Sequence, residues 1–149
     1  MIPRWLISPY ARSLVLAALG LACLSGCGKK KVDLYPTTGM VKINGEPAPK
    51  ILVVFMPTDP TVNPEGPNPT GTTGEDGKFQ LTTIAFNDGA PAGEYRVRLE
   101  MAPVAPLLSK GKKIPIPALY MDKEKSPLKA TVLPKKDNPP LPAFEVPGT

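Results

Sequence analysis

The chain has 149 residues, enough for one globular domain behind a leader, and its 21 prolines and 13 glycines exclude a mainly helical fold because both residue types interrupt helices. When Arg4 and Arg12, which lie within the first 26 residues, are left out, 16 of the 18 basic residues remain against 13 acidic ones. This surplus of positive charge is too small to predict nucleic-acid binding. The lack of histidine excludes Ser-His-Asp and Cys-His catalytic sets.

Residues 1–26 predict a cleaved secretion signal. Arg4 and Arg12 precede an apolar run over residues 14–23 that no acidic residue interrupts. A membrane-spanning helix over residues 13–26 would measure only about 21 Å at ~1.5 Å per residue, against roughly 30 Å of hydrocarbon. We therefore expect the chain to be exported.

The four residues Leu24, Ser25, Gly26 and Cys27 resemble the lipobox of bacterial lipoproteins. The resemblance implies that signal peptidase recognises Leu24, Ser25 and Gly26, that Cys27 receives a diacylglyceryl group, and that the new amino terminus is acylated too, with palmitate as a typical chain. Two or more acyl chains, at ~0.8 kcal/mol per buried CH₂, hold a protein durably on a membrane. The alternative is an ordinary secreted protein in which this cysteine is coincidental.

A tether is predicted over residues 27–36, ahead of a single domain over residues 37–149. Lys29, Lys30 and Lys31 lie in this tether, where they either attract anionic head groups or simply keep the tether solvated. Removal of residues 1–26 leaves Cys27 as the single cysteine, so no internal disulfide is expected.

The rest of the chain predicts short β-strands, because apolar residues alternate with polar ones and turn signals separate the segments. Asn44-Gly45 and Asp76-Gly77 are typical of tight turns, and five prolines make residues 57–69 an exposed loop. The predicted strands cover residues 40–43, 51–56, 70–73, 78–84, 93–101, 128–132 and 143–146. About seven such strands indicate an all-β domain, a single antiparallel β-sandwich.

Five segments in this order resemble a known family: GMVKINGEP at 39–47, TGTTGEDGKF at 70–79, DGAPAGEYRV at 88–97, PALY at 117–120 and SPL at 126–128. The family comprises small lipoproteins of planctomycete-type bacteria with a carboxypeptidase-regulatory-like, transthyretin-like domain. The resemblance implies a Greek-key sandwich and a non-catalytic module whose partners are mostly undefined. Fold analogy alone says little about function.

No metal, cofactor or catalytic residue is predicted. The transthyretin-like hydrolases depend on histidines that this chain lacks, and one acylated cysteine cannot form a zinc site. Neighbouring carboxylates are better explained by turns than by catalysis or calcium binding, because Asp commonly bonds to its own backbone. These carboxylates are Glu75 with Asp76, Asp59 with Glu65, and Asp122 with Glu124.

Phe86 and Tyr120 are the aromatic residues that lie in or beside predicted loops, so they are the candidate ligand contacts. Exposed rings of this kind serve as stacking platforms in sugar-binding sandwiches. The alternative for Tyr120 is that its ring closes the edge of the sandwich beside Pro117. Residues 110–113, which contain three lysines, are interpreted as a solvated loop, with contact to anionic polymers as the alternative.

These observations predict a non-enzymatic lipoprotein of the cell envelope that acts as a structural or protein-interaction module. The alternative is a module that binds carbohydrate or another envelope polymer. The expected partners are the membrane, through the acyl chains on Cys27, and an envelope protein or polysaccharide. Gly28 stands where some enterobacterial lipoproteins carry an inner-membrane retention aspartate, so the outer membrane is favoured, with the domain in the periplasm or at the cell surface.

Overall fold

The computed structural model describes residues 32–103 and 116–148. Within these ranges the chain forms ten strands and one four-residue helix, which confirms the all-β prediction. No helix in the described part of the chain is long and apolar enough to cross a membrane. The elements are β1 Leu34–Tyr35, β2 Thr38–Ile43, β3 Glu46–Pro47, β4 Ile51–Pro57, β5 Thr70–Thr72, β6 Lys78–Gln80, β7 Ala90–Pro91, β8 Gly93–Met101, α1 Ala118–Met121, β9 Lys129–Val132 and β10 Phe144–Val146.

The first sheet has the strand order β5-β4-β8-β9, and all of its pairings are antiparallel. Its longest pairing joins β4 to β8, with Ile51 opposite Met101 at one end and Pro57 opposite Tyr95 at the other. Strand β4 is apolar along its whole length and has a neighbouring strand on each side, as the sequence predicted for a central strand.

The second sheet is built around β2, which pairs with β3, β6 and β10. Its pairing with β10 is parallel, with Phe144 opposite Val41 and Val146 opposite Ile43, and this differs from the purely antiparallel prediction. The physical reason is the connection over residues 133–143. It returns the chain to the end of the domain at which β2 begins, so β10 then runs in the same direction as β2.

Apolar side chains from both sheets form one core around Phe55 of β4. The Phe55 ring centroid lies 5.5 Å from that of Tyr95, and 6.3 Å from those of Phe79 and Phe144. Phe79 and Phe144 belong to the second sheet and stack with their centroids 6.1 Å apart. Tilted and offset rings at these distances add attraction beyond the area that they bury.

The predicted alternation along residues 93–101 is confirmed: Tyr95, Val97 and Leu99 are buried, whereas the charged residues between them are partly or fully exposed. The proline-rich loop is also largely exposed between residues 58 and 68. Its last residue, Pro69, is instead fully buried, and its carbonyl accepts the backbone N–H of Phe55 at 2.9 Å. This contact ties the end of the loop to the core.

Strand β1 pairs with β7 in a separate two-stranded sheet, with Tyr35 opposite Ala90. Both residues of β1 lie within the predicted tether, and the Tyr35 side chain packs against the core. Partial burial of this ring holds β1 against the rest of the domain.

The strand registers define one end of the domain, which we call the β1 end. Strand β1 leads directly into β2, and strand β7 leads directly into β8. Because β1 pairs with β7, β2 and β8 begin at the same end of the domain. Strand β6 runs antiparallel to β2 and finishes with Gln80 opposite Thr38. The loop over residues 81–89, which joins β6 to β7, therefore lies at the β1 end.

Candidate functional site

The predicted anchoring residues Leu24, Ser25, Gly26 and Cys27 lie outside the described residues, as does the lysine-containing run 110–113. Phe86 and Tyr120 lie inside the described ranges. The candidate functional site on the folded domain is the region around Phe86, and Tyr120 is compared with it below.

Phe86 lies in the loop over residues 81–89, which we call the Phe86 loop, and 88% of its surface is exposed. This exposure agrees with the prediction from the sequence that Phe86 lies in or beside a loop. Ile84, two residues earlier, is 75% exposed. The loop therefore presents two large apolar side chains to solvent.

Asp88 orders this loop by binding its backbone. One carboxylate oxygen accepts the N–H of Thr83 at 2.7 Å, and the other accepts the N–H groups of Ile84 at 2.9 Å and Ala85 at 2.6 Å. Burial by itself would raise the pKa of Asp88, but the three backbone N–H donors outweigh it and lower the pKa below its ordinary value of 3.8. The carboxylate is consequently ionised at neutral pH and its oxygens are occupied within the loop.

Two threonines complete the internal bonding of the Phe86 loop. The Thr82 hydroxyl accepts the backbone N–H of Asn87 at 3.0 Å, and the Thr83 hydroxyl donates to the carbonyl of Gly89 at 2.6 Å. Gly89 has a φ of +92°, and a Cβ at this position would collide with the carbonyl oxygen of Tyr35. The loop is thus a pre-ordered structure fixed against β1.

An open groove of about 910 Å³ runs beside Phe86 along β2, β5, β6 and the segment before β10. Its lining combines apolar side chains with amides and hydroxyls, and Lys78 is its one charged residue among those described. Such a surface can contact apolar groups and also donate and accept hydrogen bonds. The lining residues are Thr38, Gly39, Met40, Thr70, Gly71, Thr72, Lys78, Phe79, Gln80, Thr82, Phe86, Asn87, Pro140, Leu141 and Ala143.

Tyr120 occupies a different place in the fold. It lies in α1, which contacts β8 of the first sheet, and its partly buried side chain packs against the core. Tyr120 is not among the residues that line the groove. The groove lining therefore contains Phe86 and not Tyr120, whose side chain packs against the core.

Three of the six carboxylates considered as catalytic or calcium-binding candidates bind backbone N–H groups in turns. Asp76 accepts the backbone N–H of Lys78 at 3.1 Å, and Asp59 accepts that of Thr61 at 2.8 Å. Asp122 accepts the backbone N–H groups of the residues two and three positions later. These backbone donors lower the pKa of each carboxyl group. The turn interpretation is confirmed for these three aspartates.

Two buried polar side chains serve the core. Burial raises the pKa of Tyr95, and its hydroxyl donates to the carbonyl of Pro91 at 2.7 Å. Thr73 accepts the backbone N–H of Ile51 at 2.9 Å and donates to the carbonyl of Ala48 at 2.6 Å. Across residues 32–103 and 116–148, no three cysteine or acidic side chains come together in a way that could hold a metal ion.

Asp88 was not predicted as a site residue, although it has the most extensive role in the loop. A usable signal existed, because Asn87-Asp88-Gly89 is a turn-forming sequence and Asp side chains often accept nearby backbone N–H groups. The spacing of its donors, three to five residues upstream, is less common and depends on the loop conformation.

Comparisons with protein-family models, curated proteins and solved structures found no match.

Proposed function

We propose that this chain is a non-enzymatic lipoprotein of the cell envelope, anchored by acyl chains on Cys27, whose β domain is a protein-interaction module. The lipobox-like residues 24–27 behind an apolar run support the anchor. The groove beside Phe86 is the observation that carries the interaction role. An open surface of this size and mixed chemistry suits an extended segment of a partner.

The proposed fold is a Greek-key sandwich of the transthyretin-like type. Two four-stranded sheets that contribute to a common core support it. A further cleft of about 500 Å³ is lined by residues of both β9 and β10, so edge strands of the two sheets lie near each other. Two facing sheets would have this arrangement.

A non-enzymatic role is supported by the way in which acidic groups are used. Asp59, Asp76, Asp88 and Asp122 bind backbone N–H groups, and their lowered pKa values keep them ionised rather than suited to exchange protons near neutral pH. Lys78, the charged residue in the described groove lining, forms an ion pair with Asp76 at 3.5 Å. These groups serve structure.

A protein partner is favoured over a polysaccharide by the positions of the aromatic residues. A sugar-binding surface built on Phe86 and Tyr120 would need both rings on one face. Tyr120 instead packs against the core, and Phe86 is left as a single ring beside the groove. One ring offers less stacking area than the pair of platforms that the sequence suggested.

The anchor is tested by metabolic labelling with a fatty acid analogue. We expect the wild-type protein to be labelled and Cys27→Ala to lose the label. The matched control is Cys23→Ala, which should retain it because Cys23 precedes the proposed cleavage site. Equal labelling of wild type and Cys27→Ala would refute the anchor. Fractionation of the labelled cells tests the proposed outer-membrane location.

The groove is tested by photo-crosslinking in intact cells. A photoreactive residue at Gln80, an exposed residue of the groove, should give a reproducible crosslinked protein. The same residue at Glu94, which is exposed on the first sheet outside the groove, should not. Thr72→Arg, which places a bulky side chain in the groove, should abolish the Gln80 product. A product that survives this change, or that forms equally from Glu94, would contradict the proposal, and a crosslinked polysaccharide would replace the protein partner.

A further inference from the structure

The tip of the Phe86 loop carries an apolar surface that the groove does not explain. Ile84 and Phe86 are the two most exposed large apolar side chains in the described part of the chain, at 75% and 88%, and Ala85 between them is exposed as well. Single exposed apolar residues are common on protein surfaces. Here two lie at one tip, and Ile84 is not among the groove residues.

The tip carries no charge. Residues 81–87 contain no acidic or basic side chain. The carboxylate of Asp88, the next residue, accepts the backbone N–H groups of Thr83, Ile84 and Ala85. Asn87 likewise donates its backbone N–H within the loop. Transfer of this tip from water to a less polar medium therefore costs little, because the tip has no ionised side chain and few unpaired backbone donors.

The tip lies at the end of the domain from which the chain leads to the proposed anchor. The Phe86 loop ends against β1, since Ala90 pairs with Tyr35 and Gly89 approaches the Tyr35 carbonyl. Cys27 precedes Leu34 by seven residues, a stretch that spans at most about 25 Å at 3.3–3.6 Å per residue. If Cys27 is acylated as proposed, this length limits the distance between the acyl chains and β1.

We infer that Ile84 and Phe86 insert into the interfacial layer of the same membrane that holds the acyl chains, so that the domain touches the bilayer through its β1 end. This inference rests on the proposed anchor at Cys27. A polysaccharide would account for the ring of Phe86 but would leave Ile84 without a contact, whereas a bilayer accommodates both side chains. The loop is already ordered by its own hydrogen bonds, so insertion requires little further ordering.

Tryptophan fluorescence of the mature lipidated protein, which would begin at Cys27, tests the inference. The single tryptophan of the sequence, Trp5, lies in the signal that the proposed lipoprotein loses, so an introduced tryptophan is the only one in the lipidated protein. Phe86→Trp and Ile84→Trp report on the tip. Glu75→Trp is the matched control, because Glu75 is exposed in the turn that precedes β6, at the other end of that strand from the Phe86 loop. The proteins are reconstituted in vesicles of phosphatidylethanolamine and phosphatidylglycerol.

We expect blue-shifted emission from tryptophan at positions 84 and 86, and roughly half of that emission should be lost with lipids brominated near the head of the acyl chain, because an interfacial residue lies about 5–10 Å deep. Position 75 should show neither effect. Ile84→Asp in the Phe86→Trp protein should restore much of the emission, since both residues share the insertion.

The outcomes separate the inference from the anchor. A protein that carries the fatty acid label but shows no quenching at positions 84 and 86 would overturn the inference alone. A protein without the label would overturn the anchor. Equal quenching at all three positions would show that the domain has no preferred face. A spectral change at position 86 that requires added polysaccharide and not lipid would assign the tip to a glycan instead.

Discussion

Replacement of Asp88 should loosen the Phe86 loop and destabilise the domain by a predictable amount. Asp88→Ala removes the acceptor of three backbone N–H groups, at 2.6, 2.7 and 2.9 Å. A hydrogen bond to a charged group contributes about 1.5–3 kcal/mol when protected from water. Two of the three donors belong to exposed residues that water can reach after the change, so we expect the free energy of unfolding to fall by about 2 kcal/mol in total. Asp88→Asn retains one acceptor oxygen and should lose about half as much.

Urea denaturation of the purified protein, followed by circular dichroism, measures this change. A loss of about 2 kcal/mol should also lower the melting temperature by roughly 6–12 °C for a domain of this size. The pH dependence supplies a second test. The folded-state pKa of Asp88 lies below its ordinary value of 3.8, so its stabilisation is present above that value and is lost as pH falls through the folded-state pKa. The difference between wild type and Asp88→Asn should therefore be constant from about pH 7 to pH 5 and shrink below about pH 4.

Two results would refute this reasoning. One is an equal free energy of unfolding for wild type and Asp88→Ala at neutral pH, which would mean that the three N–H groups lose nothing when water replaces the carboxylate. The other is a difference between wild type and Asp88→Asn that grows on acidification, which would require a raised rather than a lowered pKa.

Three further changes test the core. Thr73→Val removes a buried hydroxyl that joins two backbone groups and should cost about 1–3 kcal/mol in urea denaturation, whereas Thr72→Val on the exposed side should be nearly neutral. Gly39→Ala would place a Cβ 2.5 Å from Cζ of Phe79 and should cost about 1–3 kcal/mol; an added Phe79→Leu should recover part of this cost, and full additivity of the two losses would contradict the steric explanation. Phe55→Ala should cost about 3–5 kcal/mol and leave little folded protein at 37 °C, and a cooperative transition close to that of wild type would show that the aromatic cluster is not central.

The local structure of the strands could be predicted from the sequence because it depends on neighbouring residues. The alternation over residues 93–101 corresponds to β8, and turn residues Asn44-Gly45 and Asp76-Gly77 separate strands where expected. The strand predicted over residues 78–84 ends earlier, at Gln80. Beyond it, the backbone donors at positions 83–85 bind the Asp88 carboxylate instead of another strand, and this competition depends on a loop conformation that no short pattern specifies.

Long-range features could not be read from the sequence in the same way. The parallel direction of β10 depends on the path of residues 133–143, because parallel and antiparallel strands can carry the same short pattern. The groove depends on which strands become neighbours, so its lining draws on segments as distant as Thr38 and Ala143. For the candidate site, exposure of Phe86 followed from its place in a loop. The packing of Tyr120 depends on the contact between α1 and β8. The proline-rich sequence did not indicate that α1 is a helix.

The parallel pairing of β10 with β2 also determines when the domain can finish folding. The backbone N–H of Gly148 donates to the Asn44 side chain at 2.6 Å, a contact between residues 104 positions apart, and Phe144 completes the aromatic cluster. One edge of β2 is therefore unpaired until nearly the whole described chain is present. The last strand to be synthesised is thus required to complete the sheet. Closing so long a loop slows folding, so the proposed export and acylation would precede completion of this sheet.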